Sequence, residues 1–310
     1  MVSGGASIAV MTLRTLAATL LAFFMSTPCA LADSSSATLA SYYERHMALQ
    51  GDVAFGWVGR GEPQRLLAGV VQVGVSREAF FALRSDGTLL TWTDAPERGA
   101  VLMRGVQQFS AGASGWFAID AAHVLWHGAG GAAAPQRIAE EVLDACIGDS
   151  ADYFVQRDGT LFVKGRADRG QYGDGKLMAT PGFVATARDA VAVRAHTGHA
   201  IHLRRDGVVM GTGGNRFGPL SSHGLGDKAD RWGRVFEGAS AIATGSRHSL
   251  AIRADGSLWA WGEGFAIVPA RLMDQVIAVA AGDSATIALA ADGALWQWDR
   301  GGAPRRLAWR

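Results

Sequence analysis

The chain has 310 residues, of which 49% are hydrophobic and 18% are charged, and its formal net charge is +1 at pH 7. This composition, with 41 Gly and 10 Trp, excludes a disordered chain and fits one large all-β domain or two smaller ones. The near-neutral charge argues against nucleic acid and against an anionic membrane surface as a partner recognised by bulk charge.

The first segment of the chain has the pattern of a secretory signal peptide. Arg14 precedes a short apolar run over residues 16–25, and a small-residue site ends at Ala32. We therefore expect cleavage after Ala32 and a periplasmic or secreted protein, with Met1 and Met11 both open as the start. Since the apolar run is too short for a membrane span, residues 1–32 are taken as the signal and residues 33–310 as one domain without a membrane span.

A β-hairpin pattern recurs along the rest of the chain. In the clearest copy, two apolar runs at residues 249–254 and 257–262 flank the turn pair Asp255-Gly256, a strong hairpin signal. The copies lie 35 to 49 residues apart, which predicts a propeller or a solenoid. Their reference positions in the turn are Asp52, Gly87, Ala122, Gly159, Gly207, Gly256 and Gly293.

The parts around each hairpin predict a closed ring. A Pro-x-Arg strand, as at Pro63 and Pro269, is interpreted as the opening strand of a unit, and with a Val/Ala strand and the hairpin it gives about four strands, or one propeller blade. The chain ends with such a strand at residues 303–307, and the first unit lacks one. We therefore predict an all-β, seven-bladed propeller whose closing blade is shared by both termini, with Leu307 beside Val53.

Residues 245–262, GSRHSLAIRADGSLWAWG, resemble the core signature of the regulator of chromosome condensation repeat family. The segments after Gly165 and Gly213 resemble the Asn-x-x-Gly-Gln-Leu-Gly loop of that family, and the likeness covers essentially the whole mature chain. The other five units lack this loop, a layout similar to that of secreted propeller inhibitors of β-lactamase. The resemblance implies a seven-bladed propeller that binds proteins. By analogy with nuclear members, it leaves a guanine-nucleotide exchange factor as an alternative.

Nothing in the sequence marks an enzyme, a cofactor or a metal site. Gly148-Asp149-Ser150 and Gly282-Asp283-Ser284 look like serine-hydrolase fragments, but both fall in the repeat register. His196, His199 and His202 are spaced at three, and no carboxylate or cysteine in their segment completes a metal site. We predict a non-catalytic protein, with a propeller-scaffold hydrolase or lyase as the remaining alternative.

Periodic aromatic residues and the single mature cysteine are interpreted as core. Trp57, Trp92, Trp261 and Trp298 each lie five residues after a reference position, which favours packing between blades. Loss of Cys29 with the signal leaves Cys146 alone among apolar neighbours, which favours a buried structural thiol.

The candidate binding residues are polar and aromatic side chains of the loops on one ring face, where a protein partner of unknown identity would bind a monomeric propeller. A solvated rim, or aromatic side chains that anchor their own loops, are the structural alternatives. The candidates are Arg45, Arg77, Glu78, Asp149, Arg216, Phe217, Arg231, Trp232, Arg247 and Asp283.

Overall fold

A computed structural model describes residues 38–129, 134–221, 226–283, 285–299 and 302–310. The predicted signal peptide lies outside these residues. Within them, seven antiparallel sheets of four strands each follow one another along the chain, and each sheet is one blade. The prediction of a seven-bladed propeller is confirmed.

Every blade runs from an innermost strand to an outermost strand in chain order. The innermost strands line a central channel in which a cavity of about 150 Å³ lies. They are β1 (Leu39–Tyr42), β5 (Val70–Val75), β9 (Val106–Gly112), β13 (Val142–Ile147), β17 (Ala190–Ala195), β21 (Ala239–Thr244) and β25 (Val276–Ala281).

The second and third strands form the predicted hairpins. The second strands are β2 (Arg45–Gln50), β6 (Phe80–Arg84), β10 (Gly115–Asp120), β14 (Ala151–Gln156), β18 (His199–Arg204), β22 (His248–Arg253) and β26 (Ala285–Ala290). The third strands are β3 (Val53–Val58), β7 (Leu89–Trp92), β11 (Leu125–Gly128), β15 (Leu161–Gly165), β19 (Val209–Gly214), β23 (Leu258–Gly262) and β27 (Leu295–Asp299).

The outer strands complete the blades, and one 3-10 helix, Pro96–Arg98, precedes the second of them. The outer strands are β4 (Gln64–Leu67), β8 (Ala100–Met103), β12 (Gln136–Ala139), β16 (Val184–Ala187), β20 (Lys228–Phe236), β24 (Ala270–Met273) and β28 (Arg305–Leu307).

The Asp-Gly turns explain why these hairpins form. Gly256 has a φ of +77°, a left-handed conformation that glycine adopts without steric cost, and Asp255 Oδ1 accepts a 2.9 Å hydrogen bond from the Ser257 amide. The carbonyl of Gly256 then accepts from the amide of Val276, which begins the next blade. One turn residue therefore both closes its own hairpin and starts its neighbour.

In blade 3 the assignment of the turn was wrong by one residue. His123, rather than Ala122, has the positive φ of +59°, and its carbonyl accepts a hydrogen bond from the amide of Val142. The Asp120 side chain accepts from the amides of Ala122 and Val124, so an aspartate stabilises this turn without a glycine.

The predicted shared closing blade is wrong. Leu307 pairs with Leu295 in β27 rather than with Val53, and the Pro-x-Arg strand is the outer strand that closes its own blade. The physical reason is that a short connection joins β27 to β28, and antiparallel strands that are neighbours in sequence pair first.

The ring closes by packing and by the last residues of the chain. Leu39 and Trp57 of blade 1 share a core cluster with Leu295 and Leu307 of blade 7. Arg310 then exchanges backbone hydrogen bonds with blade 1, its amide donating to Pro63 at 3.2 Å and its carbonyl accepting from Arg65 at 3.0 Å. The residues that follow β28 therefore bind to blade 1 and close the ring, although no blade is built from both ends of the chain.

The aromatic core follows the prediction. Trp57, Trp92, Trp261 and Trp298 are all buried, and each belongs to a core cluster that includes residues of the preceding blade. Cys146 is buried as well, and burial raises the pKa of its thiol to about 11, so the thiol stays protonated at neutral pH.

Candidate functional site

One face of the ring carries the loops that hold the candidate residues. Because the strands of a blade alternate in direction, the loop after the first strand and the loop after the third strand emerge on the same side. We call this side the loop face. The Asp-Gly turns lie on the opposite side, so the two long loops after β15 and β19 share the loop face with the short loops after the inner strands.

Three predicted residues lie where blades 1 and 2 meet. The Arg45 Nε donates to the carbonyl of Arg77 at 3.1 Å, and its guanidinium lies 5.3 Å from the centre of the Phe80 ring. The guanidinium of Arg77 lies 4.9 Å from the centre of the Tyr43 ring, and Glu78 is exposed beside it. The structure brings these three residues together at one edge of the loop face.

Asp149 and Asp283 meet at the mouth of the channel instead of standing on the rim. The imidazole of His196 lies between them, with Nδ1 3.8 Å from Asp149 Oδ2 and Nε2 3.8 Å from Asp283 Oδ2. Tyr42 stacks on this imidazole with ring centres 5.0 Å apart and donates a short hydrogen bond to Asp149 Oδ1. Thr197 Oγ1 donates to Asp149 Oδ2 at 3.1 Å. We call these five residues the channel-mouth cluster.

The cluster joins blades that are far apart in sequence and on opposite sides of the ring. Tyr42 belongs to blade 1, Asp149 to blade 4 and Asp283 to blade 7, so the tyrosine spans the channel on the loop face. Burial, reinforced by the Asp149 carboxylate, raises the pKa of Tyr42 far above its usual value. The hydroxyl therefore remains a donor, and the cluster covers the entrance to the cavity that Tyr42 and His196 line.

Arg216, Phe217 and Arg247 form a second group, over blades 5 and 6. The guanidinium of Arg247 lies 4.5 Å from the centre of the Phe217 ring, and that of Arg216 lies 5.8 Å from it. The side chain of Ile267 packs beside Gly218, within about 3.1 Å of where a Cβ atom would stand. Phe217, Ile267 and Val268 are 39%, 57% and 56% exposed. Arg216, Phe217, Arg247, Ile267 and Val268 are the blade 5–6 patch.

The loop under this patch is held firmly. Asn215 Oδ1 accepts from the amide of Leu220 at 2.8 Å, and Leu220 is fully buried. The carbonyl of Pro219 accepts from Trp261 Nε1 at 2.7 Å and from Ser249 Oγ at 2.8 Å, both in blade 6. The exposed Phe217 therefore projects from a fixed loop, which lowers the entropy lost when another surface covers it.

Arg231 and Trp232 lie in strand β20 of blade 5, not in a loop as predicted, and pack against the long loop of blade 4. Trp232 packs against Gly173 and its ring centre is 4.5 Å from that of His202, while its Nε1 donates to Thr186 Oγ1 at 3.2 Å. The Arg231 guanidinium lies against Gly175. These two residues are separate from the blade 5–6 patch.

The buried histidines of blades 5 and 6 link neighbouring blades. His199 Nε2 is 3.0 Å from Ser249 Oγ, and His248 Nε2 is 2.8 Å from Thr286 Oγ1 in the next blade. Burial lowers the pKa of both His199 and His202 to about 3, so both are neutral at pH 7. Over the described ranges no group of three or more His, Cys, Asp or Glu side chains is arranged to hold a metal ion.

Tyr42, Ile267 and Val268 were not among the predicted binding residues, and His196 was considered only as a metal ligand. The signal for Ile267 and Val268 was present, since two large apolar residues in a short loop beside Phe217 are unusual. No pattern pointed to Tyr42, because its contact with Asp149 spans 107 positions and crosses the channel. In the part of the chain that the structure describes, no helix has the length and hydropathy of a membrane span.

Comparison with known proteins gives one family match. Residues 239–265 match the Regulator of chromosome condensation (RCC1) repeat, and they run from the start of β21 into the loop after β23, all in blade 6. This match and the seven-bladed ring confirm the resemblance drawn from residues 245–262.

Several solved structures share the fold. Prp20p from Saccharomyces cerevisiae, described together with its binding to Gsp1p and histones, is 16% identical over 79% of this chain and 80% of that chain, with a TM-score of 0.66. Human WBSCR16 is 16% identical over 89% and 83% of the two chains, with a TM-score of 0.54. The ectodomain of the Arabidopsis thaliana receptor kinase ACR4 is 13% identical over 89% and 98%, with a TM-score of 0.57. These likenesses establish the propeller architecture.

Proposed function

Because blade 6 is a regulator of chromosome condensation repeat within a seven-bladed propeller, we propose that this protein is a non-catalytic, exported binding module whose loop face caps a protein partner. The observation that carries the proposal is the blade 5–6 patch. Two neighbouring loops expose three large apolar side chains there, with two arginines over the Phe217 ring and Ile267 packed beside Gly218. Monomeric proteins rarely leave such groups together in water unless another molecule covers them.

The chemistry of the patch defines the partner. Arg247 is paired with Glu263 at 3.1 Å, whereas the exposed Arg216 forms no ion pair with any residue that the structure describes. Aromatic residues and arginine are the types enriched where proteins bind each other. The patch therefore fits a protein segment that offers a large apolar side chain beside a carboxylate, the apolar group against Phe217 and Ile267 and the carboxylate toward Arg216.

Export is supported by the sequence pattern that ends at Ala32. A periplasmic or extracellular location agrees with a mature chain that has one buried thiol and needs no reducing environment for it. The exchange-factor alternative rests on the fold shared with Prp20p, and at 16% identity a fold supports no particular partner. The enzyme alternative gains no support from Cys146, whose buried thiol stays protonated.

The test compares three forms of the mature chain, purified from the periplasm or medium of the producing cell, with Asp33 expected as the first residue. The forms are the natural chain, the double variant Phe217→Ser with Ile267→Ser, and the control Val101→Ser. Val101 is 51% exposed on the outer strand of blade 2, so the control removes a similar apolar side chain away from the patch. Each form serves as bait for crosslinking in the native extract.

We expect the natural chain and the control to capture the same protein and the double variant to lose it. With that partner purified, the double variant should bind at least about 30-fold more weakly, the effect of losing one interface hot spot of about 2 kcal/mol. Failure to capture any protein, or equal binding by the double variant, contradicts the proposal. Nucleotide release from a small GTPase would support the exchange factor instead.

A further inference from the structure

The seam between the first and last blades contains a polar pocket on the loop face. Its volume is about 420 Å³, and its polar lining comes from Glu44, His46, Arg60, Gln297 and Asp299. Glu44, His46 and Arg60 belong to blade 1, while Gln297 and Asp299 belong to β27 of blade 7. We call it the seam pocket. Blade 7 separates it from the blade 5–6 patch, so the two surfaces are independent.

One wall of the pocket has a buried polar atom without a hydrogen-bond partner. His46 is only 1% exposed, and its Nε2 contacts no donor or acceptor among the described residues. Its Nδ1 lies 2.9 Å from Ser41 Oγ. Burial lowers the pKa of His46 to about 4, so the ring is neutral at pH 7. With the proton on Nδ1 toward Ser41, Nε2 presents a lone pair, and leaving it unpaired costs about 1–3 kcal/mol.

Two carboxylates supply further acceptors. Asp299 Oδ1 accepts from Gln297 Nε2 at 3.0 Å, which fixes the orientation of the carboxylate. Asp299 Oδ2 accepts from Arg60 Nε at 2.5 Å, although the Arg60 side chain is 79% exposed. Glu44, which is exposed, forms no ion pair with any described residue. The lining thus holds two negative charges against the single charge of Arg60.

Arg60 shows which ligand chemistry the pocket accepts. An exposed arginine gains little from a surface ion pair, so it is easily displaced by another cation. The nearby Arg305 is already paired with Glu62 at 2.7 Å, although after burial its charge also acts to lower the pKa of His46. A guanidinium or ammonium group carries several N–H donors on one cation, which suits a lining of two carboxylates and a neutral imidazole nitrogen.

We propose that the seam pocket binds a lysine or arginine side chain presented by a protein. Its acceptors are the Glu44 and Asp299 carboxylates and His46 Nε2, and Arg60 is the competitor that the ligand displaces. The inference rests on the proposed function only in that a protein carries the cation. The pocket itself is tested with small cations, so its failure and that of the blade 5–6 patch are distinguishable.

The experiment titrates the mature chain, labelled with ¹⁵N in histidine, with N-acetyl-arginine amide and N-acetyl-lysine amide. N-acetyl-citrulline amide is the neutral match for arginine. The readout is the chemical shift of the His46 ring nitrogens, assigned with the variant His46→Gln. We expect a saturable shift of Nε2 with both cations and none with citrulline.

Three variants make the test decisive. Glu44→Gln and Asp299→Asn should each weaken binding of the arginine probe at least about tenfold, or 1.4 kcal/mol. Arg60→Gln should strengthen it severalfold, because the competing guanidinium is gone, and this exposed residue is not needed for folding. Glu97→Gln, at an exposed acidic residue of the 3-10 helix in blade 2, should change nothing. Equal shifts with citrulline, or no tightening in Arg60→Gln, would overturn the proposal.

Discussion

The blades are joined in two different ways on two sides of the ring. Between blades 2 and 5, polar side chains of the inner strands reach the neighbouring strand. Gln72 Nε2 donates to the carbonyl of Phe109 at 2.7 Å, and Gln108 Nε2 donates to Asp144 Oδ1 at 3.0 Å. The other oxygen of Asp144 accepts from the amide of Val193 at 2.7 Å. A buried charge takes part in this half, beside the channel cavity.

Between blades 5 and 7, the link lies one strand further out and joins a histidine to a hydroxyl group. His199 bonds to Ser249 and His248 bonds to Thr286. In both pairs the histidine uses Nε2 and is the first residue of the second strand of its blade. The family match falls on this half, in blade 6. The repeat signature therefore encodes one kind of contact between blades, a histidine bonded to a Ser or Thr hydroxyl of the next blade. Where blades lack its His and Ser or Thr, other groups must join them, at a cost that depends on their charge.

The largest effect is expected from removing the charge of Asp144, which tests how much the charged links between blades 2 and 5 stabilise the ring. Its partner Arg194 lies 2.7 Å away, and the two side chains are 4% and 17% exposed. Asp144→Asn leaves the guanidinium without its counter-charge in a mostly buried place, so we expect a loss of about 3–5 kcal/mol in the free energy of unfolding. Urea denaturation of the mature chain measures it.

Asp168→Asn is the matched control for that loss. Asp168 is half exposed and pairs with Arg166 at 2.8 Å on the surface, so its removal should cost at most about 1 kcal/mol. If Asp144→Asn cost no more than this control, the buried ion pair would not hold blades 4 and 5 together.

A smaller effect is expected from Tyr42→Phe, which removes the hydrogen bond that crosses the channel from blade 1 to blade 4. The variant keeps the stacking on His196 but removes the donor to Asp149. A hydrogen bond to a charged group contributes about 1.5–3 kcal/mol, and the lower end applies because Thr197 still donates to Asp149. Thermal unfolding compares it with Tyr43→Phe, which removes a hydroxyl next in sequence. Equal stability of the two variants would show that the cluster does not tether the ring.

The fold was largely predictable because local chemistry repeats. Asp255-Gly256 and its equivalents give the hairpins, and their spacing gives the number of blades. Which strand begins a blade and which strand ends it was not predictable. A repeating pattern looks the same wherever the boundary between units is placed. The pairing of each Pro-x-Arg strand with the third strand before it, as of Leu307 with Leu295, shows that this strand ends a blade.

The candidate site was predictable only in part. The aromatic and arginine types at Phe217 and Arg247 did mark neighbouring side chains, because residues of such types in loops have few interior uses. Asp149 and Asp283 were expected on a rim, yet they turn toward His196. A position in a repeat tells which loop a residue occupies, but not whether its side chain finds a partner across the channel.

The buried histidines of blade 5 should make the free energy of unfolding depend on pH. His199 and His202 in blade 5 have pKa values of about 3, lowered mainly by burial, against about 6.5 in the unfolded chain. Between pH 6.5 and 3 the unfolded state therefore binds protons that the folded state does not. Stability falls as the pH falls, by about 1.4 kcal/mol per pH unit for each histidine. His199→Gln, whose amide can still donate to Ser249, should reduce this slope by about that amount. Above pH 7 the two proteins should have parallel curves of unfolding free energy, and an unchanged slope below pH 6 would show that His199 does not contribute to the acid sensitivity.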